Sequence, residues 1–92
     1  MTHHVHVIIK GKVQGVGYRN WAYSQAKLLG LNGWVRNLSG GEVELVAEGP
    51  ESALHSFVNF LKNGPTMARV TGVEASWSSQ HAPRYSDFQI KR

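Results

Sequence analysis

Hydrophobic and polar residues alternate along Val5-His6-Val7-Ile8-Ile9, the period of a strand with one buried face, and the pattern predicts a strand over Val5–Val13. A helix is predicted over Asn20–Leu29, where Ala22, Ala26 and Leu29 recur at helical spacing and Gly30 supplies a C-terminal stop. Gly33-Trp34-Val35-Arg36-Asn37 reads as a short strand and Ser39-Gly40-Gly41 as the turn after it. Glu42–Glu48 then alternates, with Val43, Leu45 and Ala47 on one side and glutamates on the other, so the two strands form a hairpin. Gly49-Pro50-Glu51 opens a second helix, with proline and an acid in its first turn. Leu54, Phe57, Val58 and Leu61 give this helix the strongest amphipathic stripe in the chain, and Gly64-Pro65 ends it. A strand near Ala68–Trp77, a polar connection from Ser78 to Ser86 and a short strand over Asp87–Lys91 complete the pattern. The order βαββαβ plus a short extra C-terminal strand predicts an α+β sandwich of ferredoxin-like layout. Its two helices pack on one face of a mostly antiparallel sheet.

Ninety-two residues, 41% of them hydrophobic, are expected to form one domain, 1–92, with a real core. Trp21, Trp34 and Trp77 fall in three different elements and are expected to serve in core packing and helix-to-sheet contact. The absence of cysteine excludes disulfides, thiolate zinc sites and cysteine nucleophiles together. No apolar run approaches the roughly 20 residues of a membrane span and no signal-peptide pattern opens the chain, so no membrane association and a cytoplasmic location are expected. The net charge of +4 comes from ten basic residues spread along the sequence, a mild attractive field for anions without the clustering of a nucleic-acid footprint.

Between the first strand and the first helix lies Gly11-Lys12-Val13-Gln14-Gly15-Val16-Gly17-Tyr18-Arg19. Glycines there free the backbone to curl and aim several N–H groups at one point. The arginine that closes the loop is suited to a two-pronged grip on phosphate or carboxylate. No Gly-Lys-Ser/Thr ends the loop and its glycines miss the dinucleotide spacing, so neither a nucleoside triphosphate nor a dinucleotide is indicated. A tight connection with Arg19 solvated on the first turn fits the spacing equally well. Against it, a cation near a helix N-terminus opposes the macrodipole, a conflict that a bound anion would resolve.

Other candidates carry less. His4 and His6 share a strand face, but His3, His55 and His81 are not spaced to converge on them, so no metal is expected. His55 flanks the apolar stripe of its helix. No Gly-x-Ser-x-Gly elbow suggests a serine hydrolase. Glu42, Glu44 and Glu48 on one strand side read as a solvated face. Asn37, at the end of its strand, is either a turn residue bonding local backbone or an amide that orients a water without titrating.

Gly11-x-Val13-Gln14-Gly15-Val16-x-Tyr18-Arg19 resembles the first signature of the acylphosphatases. Gly33-Trp34-Val35-Arg36-Asn37-x-x-x-Gly41-x-Val43, with Gly49 beyond it, resembles the second, and the likeness extends over nearly the whole chain. The resemblance implies a metal-independent hydrolase without cofactor that cleaves the carboxyl–phosphate bond of acyl phosphates, with inorganic phosphate as product and inhibitor. It implies that Arg19 binds the phosphate together with backbone N–H groups of Gln14, Gly15, Val16, Gly17 and Tyr18, and that Asn37 positions the attacking water. Such a reaction demands little beyond holding a dianionic phosphoryl group and aligning one water, because the carboxylate is already a good leaving group. The rival reading is a non-catalytic anion- or RNA-binding module of the same fold. RNA binding of that kind stacks bases on strand aromatics, which Glu42–Glu48 lacks, so no nucleic-acid partner is expected. A chain running from Met1 to Arg92 is expected to be a free-standing enzyme, and a monomer is the simplest expectation.

Overall fold

The computed structural model describes residues 2–91. Its elements run β1 (Thr2–Lys12), α1 (Tyr18–Leu28), β2 (Asn32–Asn37), β3 (Val43–Gly49), α2 (Glu51–Asn63), β4 (Arg69–Gln80) and β5 (Phe88–Ile90). The strands form one sheet in the order β4-β1-β3-β2-β5, antiparallel throughout except for the parallel β2–β5 pair. This is the ferredoxin-like α+β sandwich that the pattern of elements predicts, with the extra strand on the β2 edge.

Strand alternation decides what the helices cover. Val5, Val7 and Ile9 of β1, Val35 of β2, Val43, Leu45 and Ala47 of β3 and Phe88 of β5 are buried on the helix side. Leu54, Phe57, Val58 and Leu61 of α2 cover them, as the stripe predicts, together with Ala22 and Ala26 of α1. Phe88 meets Tyr23 of α1 and Phe57 of α2 edge-on, with ring centroids 6.2 and 6.3 Å apart. The short C-terminal strand is therefore anchored in the core by one aromatic residue. No helix among the described residues is long and apolar enough to cross a membrane.

Three expectations need correction. First, the tryptophans fit the expected core packing and helix-to-sheet contact only in part: Trp21 packs half-buried against the core and Trp77 meets a helix, but Trp34 does neither. Trp34 lies on the opposite sheet face because its neighbour Val35 takes the inward position, and Arg36 and Lys91 sit over its ring at 5.2 and 4.5 Å. Trp77 lies on the edge strand β4 and remains 42% exposed, stacked on His55 of α2 with ring centroids 4.4 Å apart. Second, the glutamate side of β3 is not a solvated face. Glu48 is only 2% exposed, and Glu44 is hemmed in by His6 at 2.8 Å and Arg36 at 2.6 Å. Neighbouring strands supply the partners, which the sequence of one strand does not display. The His6 hydrogen bond, with help from Arg36 and against partial burial, holds the Glu44 carboxyl below its usual range. Third, Ser78–Gln80 belong to β4 and not to the connection. β1 begins as early as Thr2, and Thr2–His4 pair with Ser78–Gln80.

Candidate active site

The loop 13–17 alternates in its direction. Val13 is buried, and with Gly15 and Gly17 it lines a cleft of about 370 Å³. Gln14 and Val16 are not among the residues lining that cleft. Val16 packs against the core, and Gln14 points its amide toward the β2–β3 turn. Gly15 and Gly17 have φ of 75° and 78°, the left-handed region in which L side chains are strained. A Cβ built on either meets nothing within 4 Å, so the requirement for glycine is conformational and not steric.

Gly17 also caps α1. Its carbonyl accepts the N–H of Trp21 at 3.0 Å as the first helical bond. The helix begins with no side-chain cap and no acid in its first turn. The N–H groups of the first turn and the positive end of the dipole are therefore aimed at the loop without an anionic side chain to answer them. The helix starts at Tyr18, two residues before the expected Asn20, because the Tyr18 ring is itself a core element. It is 1% exposed, its hydroxyl donates to the Leu61 carbonyl at 2.7 Å, and burial pushes its phenol far above the ordinary value. Tyr18 thus pins the start of α1 to the C-terminal turn of α2 and leaves its backbone to the cleft.

Arg19 and Asn37, contributed by the first turn of α1 and the end of β2, line the same cleft. Arg19 is not simply solvated: its Nη1 donates to the Lys91 carbonyl at 3.2 Å, which leaves the rest of its five-donor guanidinium uncommitted by that bond. The Asn37 Oδ1 is buried and has no hydrogen-bond partner among the described residues. Such an acceptor costs about 1–3 kcal/mol unless a donor reaches it. A turn residue bonding its own backbone would not leave its carbonyl oxygen so.

The side chain of Gln14 joins the two halves of the site. Its Nε2 donates to the Leu38 carbonyl at 2.6 Å and to the Glu42 carbonyl at 2.8 Å, across the turn that follows Asn37. Two residues of the lining, Asn20 and Ile90, lie outside both quoted motifs and carried no signal of their own in the sequence. Ile90 reaches the cleft only because β5 pairs in parallel with β2 beside α1, a long-range contact that local pattern does not encode. Among the described residues no three His, Asp or Glu side chains are grouped as a metal site, and His4 and His6 are engaged with Glu48 and Glu44.

The family model described as Acylphosphatase matches residues 5–90. A curated relative from Dehalococcoides mccartyi named acylphosphatase is 50% identical over 90 residues, covering 97% of this chain and 98% of its own. An acylphosphatase from Thermus thermophilus is 52% identical over 73 residues, 79% of this chain and 83% of its own. The crystal structure of acylphosphatase from Bacillus subtilis superposes with a TM-score of 0.93 at 39% identity, covering 98% of this chain and 99% of that one.

Proposed function

We propose how the residues of this chain, which belongs to the acylphosphatase family, divide the hydrolysis of an acyl phosphate among them. The chain is an enzyme that breaks the carboxyl–phosphate bond, giving a carboxylate and inorganic phosphate. Arg19 and the backbone N–H groups between Gln14 and Tyr18, with those of the first turn of α1, take the phosphoryl oxygens. Gly15 and Gly17 face the cleft, and Gln14 and Val16 hold the loop from behind. The Asn37 Oδ1 accepts a hydrogen from the water and sets its oxygen in line with the departing carboxylate. The water oxygen bonds to phosphorus as the bond from phosphorus to the carboxyl oxygen breaks, and the electron pair leaves with the carboxylate. Asparagine is too weak a base to keep the proton, which passes to a phosphoryl oxygen or to solvent. Inorganic phosphate, as product, competes for the same donors. The observation that carries this division is that Arg19 and Asn37, from separate elements, line one cleft, where the Asn37 carbonyl oxygen is buried without a partner among the described residues.

The two roles separate kinetically. Arg19→Ala is expected to nearly abolish turnover and to weaken phosphate binding about 100-fold, to a Kd that calorimetry at high phosphate still reads, and Arg19→Lys to damage both because the planar grip is lost. Asn37→Ala is expected to lower kcat about 100-fold or more while Ki for phosphate changes less than about threefold. Equal losses of kcat and phosphate affinity in Asn37→Ala would make it a prop for the loop. A lysine variant with wild-type efficiency would remove the two-pronged grip from the account.

A further inference from the structure

The connection between β4 and β5 is tied to the sheet by bonds that begin at Glu48, a buried acid for which the proposed chemistry has no use. Glu48 is 2% exposed, and its Oε1 accepts the backbone N–H of Arg84 at 2.8 Å and of Tyr85 at 3.2 Å. Its Oε2 lies 3.4 Å from Nδ1 of His4, which is also 3.2 Å from the Gln80 amide. A ring nitrogen has one in-plane hydrogen-bonding position, so it serves one of them at a time. Burying a carboxyl group is costly unless it is bonded, and two main-chain donors are a specific way to satisfy it.

The bonds continue from there to the cleft. The Asn32 amide donates to the Tyr85 carbonyl at 3.4 Å, and the Gly33 N–H donates to the Asp87 carbonyl at 2.8 Å. β5 follows, three residues long and paired with one neighbour, a ladder too short to fix its position alone. At its end the Lys91 N–H donates to the Val35 carbonyl at 2.8 Å, and the Lys91 carbonyl receives Arg19. Phe88 anchors the start of β5 in the core, and Glu48 fixes the segment just ahead of that anchor.

We infer that Glu48 is a positioning residue for phosphate binding. By clamping Arg84 and Tyr85 it sets the path of β5, and β5 presents the carbonyl of Lys91 that holds the Arg19 guanidinium in place before substrate arrives. A long arginine side chain otherwise loses rotamer entropy on binding, and a fixed acceptor removes part of that cost beforehand. The inference rests on Arg19 as the phosphate ligand.

The test uses Glu48→Ala and Glu48→Gln, each in the wild-type and the Arg19→Ala backgrounds. Benzoyl phosphate kinetics and direct phosphate affinity by calorimetry are read alongside circular dichroism for folding. Glu48→Ala is expected to raise the phosphate Kd and the benzoyl phosphate KM about tenfold with kcat within about threefold. Glu48→Gln, which keeps the oxygen that accepts the two N–H groups, is expected to restore both to within about twofold of wild type. In the Arg19→Ala background, where turnover is lost and only the weakened phosphate Kd is read by calorimetry at high phosphate, Glu48→Ala is expected to leave that Kd unchanged. A folded Glu48→Ala protein with unchanged KM and Kd overturns the inference, and so does an equal effect in both backgrounds. If Arg19→Ala itself leaves the phosphate Kd unchanged, it is the reading of Arg19 that fails. Should Glu48→Ala not fold, Glu48→Asp, whose shorter arm cannot reach both N–H groups, is read by the same criteria.

Discussion

Gln14 is the residue whose replacement tests the architecture of the site most sharply. Its amide makes two bonds from the loop to the β2–β3 turn, to Leu38 at 2.6 Å and to Glu42 at 2.8 Å. In Gln14→Ala both are lost, yet neither carbonyl is orphaned. Leu38 still accepts from Gly41 at 3.2 Å, and Glu42 still accepts from Leu38 at 2.8 Å. The loss is then two ordinary hydrogen bonds without a desolvation penalty, about 1.5 kcal/mol in all. For a domain of this size that corresponds to a fall in Tm of about 6–12 °C. Gln14→Glu separates the bonds from the mere loss of packing. A carboxylate has no proton to donate and would face two carbonyl oxygens, so at pH 7 this variant is expected to be less stable than Gln14→Ala. The new carboxyl group has a raised pKa in the fold, so its penalty is absent below about pH 4.3, the unfolded value, and grows as pH rises. Thermal unfolding followed by far-ultraviolet circular dichroism at pH 7 and pH 4 measures both effects. Variants that melt within about 1 °C of wild type, or a glutamate variant more stable than the alanine one at pH 7, would show that the Gln14 amide does not hold the β2–β3 turn.

Other perturbations follow from the same contacts. Gly15→Val meets open space but forces a β-branched residue to φ near 75°, so it is expected to destabilise by about 1–2 kcal/mol in urea unfolding and to weaken phosphate binding. Normal stability and normal phosphate affinity in that variant would remove the backbone cradle. Tyr18→Phe strips the Leu61 carbonyl of its 2.7 Å donor, at a helix end where no intrahelical partner replaces it, and is expected to cost about 1–3 kcal/mol. Because the folded phenol pKa is raised, its contribution is present below the unfolded value near pH 10 and is lost above it. Tyr18→Phe should therefore flatten the alkaline fall in Tm. The lowered Glu44 pKa works at the other end: its contribution is present above the ordinary 4.5 and is lost as pH falls through the folded value. Glu44→Gln should flatten the acid limb of a Tm–pH curve, and an unchanged limb would dissociate Glu44 from acid stability.

The parts of the fold that rest on local period were legible in the chain. The Leu54/Phe57/Val58/Leu61 stripe, the Val43/Leu45/Ala47 face and the glycine loop before Arg19 all stand where the sequence puts them. What escaped it depends on partners from distant segments. Glu48 reads as one more surface glutamate until the chain after β4 folds back to give it two N–H groups. Trp34 reads as a core aromatic until Val35 takes the inward position. Gln14 reads as one more member of the loop, because nothing near it in sequence shows that its amide crosses to Leu38 and Glu42. Arg19 and Asn37 stand 18 positions apart by number and were paired only through the resemblance of their motifs, whereas the cleft they share is a product of the sheet order.

Whether Arg19 and Asn37 carry a metal-independent hydrolysis is decided by the rate of benzoyl phosphate cleavage by the purified protein in excess EDTA, followed by ultraviolet absorbance, beside the Asn37→Ala and Arg19→Ala variants. The expected result is rapid turnover that the chelator leaves unchanged, and its collapse in both variants. A wild-type rate no higher than the buffer blank, or one restored only by an added divalent cation, would contradict it.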